Sequence, residues 1–189
     1  AYLMASVLVI TLPLMWNYFS LGNADHHGPL AVLFIWAMGG VLSENPSRRL
    51  MLFTGCLLGL QLWMSVEALI LIALIYVWYG LCWLRGDASK ARNLAWLASG
   101  TALTSLVALL IERPSAEWLT PIYDSISIAQ VYALMFAALF AWALHVVPTH
   151  TLRQRLTLAT MGGVGLLVVI ALTYPKLLLG PMVGVDPFI

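Results

Sequence analysis

The chain has 189 residues, of which 62% are hydrophobic and only 9% charged, and its mean hydropathy is +0.94. A soluble domain of this length cannot hide so much apolar surface, so the composition points to a polytopic membrane protein. The net charge of +1 and the lack of basic runs give no footing for a nucleic-acid partner, so partners are expected in or beside the lipid bilayer. Cys56 and Cys82 both fall inside apolar runs, where a thiol behaves as a small hydrophobe.

A membrane span needs about 20 apolar residues, fewer where aromatic flanks reach the interface. Seven segments qualify in chain order: 2–18, 29–42, 50–64, 67–84, 93–111, 126–147 and 156–174. The predicted fold is therefore an all-α transmembrane bundle of about seven helices, forming a single domain over 1–189. The chain opens inside an apolar stretch and stops just after another, so it is expected to be a piece of a longer protein. Between the first two segments lies a polar gap, 22–28, that holds Asp25-His26-His27.

The run 50–84 is almost uninterrupted, and as one helix it would reach about 50 Å against a hydrocarbon core of about 30 Å. It must therefore fold back as a hairpin. Trp63-Met64-Ser65-Val66-Glu67 supplies the turn, with Ser65 expected to cap the following helix and Glu67 in its first turn. The loop 112–125 is the longest polar stretch, and its Asp124-Ser125 pair is expected to cap the next helix.

Charge tests this layout independently. Seven of the nine basic residues (Arg48, Arg49, Arg85, Lys90, Arg92, Arg153 and Arg155) fall in three alternate connections, which the positive-inside rule assigns to the cytoplasm. Six of the eight acids (Asp25, Glu67, Glu112, Glu117, Asp124 and Asp186) fall on the other face, with His26 and His27. Reading 50–84 as one span would destroy this asymmetry.

The candidate chemistry thus gathers on the outer face. Asp25 and His27 are one residue apart, so in an extended or turn-like loop both can point the same way, as in a two-ligand metal site for Mg²⁺ or Mn²⁺. Pro29 suits the first turn of the next helix, whose N-terminus favours a phosphate nearby. Arg113, beside Trp118 and Tyr123, suits phosphate or sugar recognition. A shared outward cavity lined by Asp25, His27 and Glu67, with His26 turned away, is the expected geometry. The bland readings are a solvated polar turn, a helix-terminal acid at Glu67 and interfacial aromatic anchors.

Asp25-His26-His27 on the outer side, followed by a helix, a basic inner loop and the run from Gly55 through Gln61-Leu62-Trp63-Met64-Ser65-Val66-Glu67 to Leu69, resembles the GT-C superfamily of membrane glycosyltransferases. The likeness is greatest to oligosaccharyltransferase catalytic subunits and their bacterial relatives. It covers 22–84 well and the loop around Asp124 loosely.

That resemblance implies a polyprenyl-phosphate-linked sugar or glycan donor and inverting transfer to an acceptor whose identity is open. It places the protein in the bacterial inner membrane, with the Asp25 loop periplasmic. It also implies catalytic roles for Asp25 and Glu67, a metal held by Asp25 and His27, and phosphate or substrate contacts from His26, Arg113 and Asp124. The family's first acidic motif and its soluble C-terminal domain have no counterpart in this sequence. Two other classes stand beside this one, a proton- or cation-coupled transporter and a non-catalytic subunit of a membrane complex.

Overall fold

The computed structural model describes residues 27–179, and among them it is all-helical. Six α-helices follow in order: α1 (His27–Val41), α2 (Arg48–Met64), α3 (Ala68–Leu84), α4 (Ala88–Glu112), α5 (Ile128–Val146) and α6 (Leu152–Thr173). Short 3₁₀ turns occupy Ser115–Glu117 and Pro175–Leu179. The first expected span, 2–18, lies outside the described residues.

Local chemistry sets most of the boundaries. Ser47 caps α2, its Oγ accepting from the Leu50 amide at 3.1 Å. Asp87 caps α4 by accepting from the Ser89 amide at 3.0 Å, and the turn before it passes through Gly86 at φ 108°, a conformation that excludes most side chains. Reciprocal capping boxes open α5 (Ser127 with Gln130) and α6 (Thr151 with Gln154).

Two expected caps are corrected. Ser65 ends α2 instead of starting α3, its amide donating to the Gln61 carbonyl at 2.8 Å. The α3 amides of Ala68, Leu69 and Ile70 are satisfied by the carbonyls of Ser65, Val66 and Glu67, so no side-chain cap is needed there. The cap of α5 is Ser127, two residues beyond the expected Asp124-Ser125 pair, because Ser127 also reaches the Ile122 carbonyl and closes the loop.

Length separates the helices into two groups. α4, α5 and α6, with 25, 19 and 22 residues, are long and apolar enough to cross a membrane. α1, α2 and α3 have 15, 17 and 17 residues. At 1.5 Å per residue they reach only about 22–26 Å, short of a hydrocarbon core of about 30 Å. The hairpin at 65–67 is present, but among the described residues three helices, and not six, are long and apolar enough to cross a membrane.

The tightest seam joins α2 to α4. A Cβ on Gly55 would strike the Leu97 carbonyl, one on Gly100 the Leu52 carbonyl, and one on Gly59 would lie 2.9 Å from the Thr101 carbonyl oxygen. Position 55 meets 97–101 and position 59 meets 101–104, so the two helices run parallel. α3 returns between them in sequence and packs back antiparallel, its buried Tyr79 hydroxyl donating to the Val41 carbonyl at 3.2 Å. α5 lies against α4 with Trp142 Nε1 donating to Ser99 Oγ at 2.9 Å. α6 is the loosest member, holding to α5 where Phe140 covers Gly162 and to α3 where Arg155 donates to the Leu84 carbonyl at 3.1 Å.

These directions bring the connections 42–47, 85–87 and 147–151 to one end, with seven of the nine basic residues on or beside them. The 65–67 turn and the 113–127 loop occupy the other end. Among the described residues, Glu67, Glu112, Glu117 and Asp124 thus stand at the end opposite those seven basic residues.

Candidate functional site

The end that carries the acids is built from the C-termini of the parallel pair α2 and α4. Trp63, one residue before α2 ends, donates its indole N–H to Glu112 Oε2 at 2.6 Å and so ties the 65–67 turn to the last residue of α4. A charged acceptor makes this one of the stronger kinds of hydrogen bond.

Arg113 follows Glu112 in extended backbone, its amide still bonded to the Leu109 carbonyl. Its guanidinium turns back into its own loop, where Nη2 donates to Ser125 Oγ at 2.5 Å and Nη1 stands 3.9 Å from Glu117 Oε2. The Trp118 indole donates to the Arg113 carbonyl at 2.9 Å. Nε of Arg113 is buried without a partner, and the side chain as a whole is only 20% exposed. Arg113 therefore works first as the clamp of the 113–127 loop, with part of its donor fork left over. The ion pair to the half-exposed Glu117 adds little by itself.

The expected site residues separate as follows. Asp25 and His26 lie outside the described residues. His27 is the first residue of α1, so the helix begins two residues before the expected start at Pro29. Pro29 does stand in the first turn of α1. Glu67 is exposed just before α3 and makes no capping bond, and Asp124 is exposed beside Ser125.

None of the three prominent concavities among the described residues is lined by Glu67, Arg113 or Asp124. Also among those residues, no three His, Cys, Asp or Glu side chains gather as a metal would need. Glu67 and Arg113 share an end of the bundle.

Sequence reasoning missed two things. One is the Trp63–Glu112 bond, which no local pattern announces because the partners are 49 residues apart. The other is the pair Gly55 and Gly59, a small-residue spacing inside an apolar helix that marks close helix packing and could have been read directly. A group of buried polar side chains, Gln61, Thr101 and Ser105, accompanies that seam, with Gln61 Nε2 and Ser105 Oγ lacking partners.

No protein-family model, curated protein or solved structure matches the chain.

Proposed function

We propose that the chain is an integral membrane bundle whose acid-bearing end faces outward, and that this end takes part in transferring a sugar or glycan from a polyprenyl-phosphate-linked donor, as in GT-C glycosyltransferases. The observation that carries the sidedness is the segregation of seven of nine basic residues to the opposite end. The short helices α1 to α3 belong with the spans in this reading, tilted or lined by protein, so that with 2–18 the bundle has seven. Large apolar side chains exposed on α3 and α6, such as Leu74 at 63% and Leu172 at 79%, are compatible with lipid contact.

In this reading Asp25 and Glu67 are the acids of the transfer step, and His27 joins Asp25 on a divalent metal that steadies the leaving phosphate. Arg113, Asp124 and His26 contact donor or acceptor. The transporter alternative draws less support. The buried polar residues of the described bundle are Thr54, Gln61, Asn93, Thr101, Ser105, Ser127 and Gln130, and none is a carboxylate, imidazole or amine that could relay protons.

The test is a lipid-linked sugar transfer assay on membranes holding the full-length protein. Asp25→Asn keeps shape and removes charge, so transfer is expected to fall by at least about a hundredfold while membrane insertion is unchanged. EDTA should abolish the same activity if a metal serves the leaving group. Undiminished turnover in D25N would refute the transfer reading.

A further inference from the structure

We propose that the corner where α5 gives way to α6 docks one anionic phospholipid, with its phosphate at Arg153 and its two acyl chains astride the ridge formed by Arg153, Thr157 and Met161. The proposal rests on the membrane-spanning part of the reading above and not on the transfer chemistry.

Two shallow, open surface hollows, of about 510 and 340 Å³, lie on this stretch of α6, and both are lined by Arg153, Thr157 and Met161. Those residues recur every fourth position, so they form one stripe down the helix, about 12 Å long. Leu152 and Leu156 wall one concavity, Val147 and Leu158 the other. The arrangement has a cation at the top, a ridge below it and a shallow, mainly apolar hollow on each side, which matches the charge and polarity of a diacyl phospholipid.

Arg153 is exposed and available to an anion. Among the described residues it has no carboxylate partner, and α6 has no acid in its first turn. A cation there faces the positive end of the helix dipole, which is unfavourable until a negative group joins it. Its neighbour Arg155 is already engaged by the Leu84 carbonyl at 3.1 Å.

Below the cation the stripe turns apolar. Thr157 Oγ1 donates to the Arg153 carbonyl at 2.9 Å, so its hydroxyl hydrogen is spent on its own backbone. Met161 is 70% exposed and Leu152 58%. Charge complementarity, at an end of the bundle rich in cations, favours a lipid with a net negative headgroup.

The experiment uses the full chain purified in a neutral detergent, with lipid binding counted by native mass spectrometry against dioleoyl phosphatidylglycerol and dioleoyl phosphatidylcholine. One phosphatidylglycerol should bind in preference to phosphatidylcholine. Arg153→Gln should weaken it about fivefold, Arg153→Lys should restore most of the loss, and Arg49→Gln, a cation at the same end but outside the concavities, should change it by less than about twofold. Equal losses in R153Q and R49Q, equal binding of the two lipids, or displacement of the lipid by millimolar inorganic phosphate would each overturn the site. Alkaline carbonate extraction of the same membranes separates the two levels: release of the protein overturns the membrane reading, whereas retention with unselective lipid binding overturns only the lipid site.

Discussion

Replacing Gly55 by alanine tests the seam on which the bundle depends. The added Cβ would run into the Leu97 carbonyl oxygen and lie 2.9 Å from both the Leu97 carbonyl carbon and the Thr101 amide nitrogen. Every obstructing atom is backbone, so no rotamer change relieves the clash and α2 must move off α4. Overpacking costs about 1–3 kcal/mol, and a backbone-on-backbone clash belongs at the upper end. At roughly 2–4 °C per kcal/mol for a chain of this size, G55A should lower Tm by roughly 6–12 °C. Gly100 meets the same seam from the other side, 3.0 Å from the Cys56 amide nitrogen. Because either substitution alone forces the helices apart, the G55A/G100A double variant should cost much less than the sum of the two. Gly163 is the control, since a Cβ there meets nothing within 4 Å. Gly163→Ala should gain about 0.5–1 kcal/mol of helix stability. The assay is the monodisperse fraction surviving a heating series in detergent, read by size-exclusion chromatography. A G55A melting point no lower than that of G163A would refute the close-packed seam.

Two further outcomes follow from single contacts. Tyr79→Phe removes the donor to the Val41 carbonyl, one of the unpaired carbonyls at the end of α1, inside a site where Tyr79 is 1% exposed. It should cost about 1–2 kcal/mol and lower Tm by roughly 2–8 °C in the same assay, whereas Tyr132→Phe, at a residue 38% exposed, should leave Tm unchanged. Asp87 is held below its ordinary carboxylate value of 3.8, first by the Ser89 side-chain hydrogen bond and then by the Ser89 amide and Lys90. A depressed folded value means that the cap stabilises above the unfolded value and is lost as pH falls through the folded one. The melting-point advantage of wild type over Asp87→Asn should therefore be constant near neutrality and shrink only in acid below the ordinary carboxylate value. An advantage that already fades between about pH 7 and 5 would contradict that assignment.

The positions of the helices were legible because apolar runs and turn residues are local signals. The hairpin at 65–67 follows from length alone, since 50–84 is too long for one span, and it forms where Trp63 to Glu67 interrupts the run. The two-ended charge pattern was equally readable, because it needs only the parity of connections. Caps proved harder: Ser65 and Ser127 are both serines near a helix start, and only the loop's return to the Ile122 carbonyl selects Ser127 over Ser125. The candidate site was legible as residue types and not as geometry. Glu67 and Arg113 do share an end, yet Arg113 is folded into its own loop by Ser125 and Glu117, contacts between residues 12 and 4 apart that composition cannot distinguish from a free cation. His27 was read as loop and is helix, because Pro29 tolerates a helix that begins two residues before it.

The seam and the acid-bearing end are mechanically one object. α2 and α4 run parallel, so Glu67 follows the C-terminus of one and Arg113 the C-terminus of the other, with the Trp63–Glu112 bond as the strut between them. Whatever spacing Glu67 and Arg113 keep is therefore set by how closely the glycine faces approach several turns below. α6 stands outside this frame, with little of its apolar surface buried against the other helices. The bundle thus divides into a stiff glycine-packed pair that fixes the polar end and a loosely held helix whose opposite end presents Arg153. Substitution at Gly55 should be felt at the polar end and not at Arg153, and substitution at Arg153 should leave the polar end untouched.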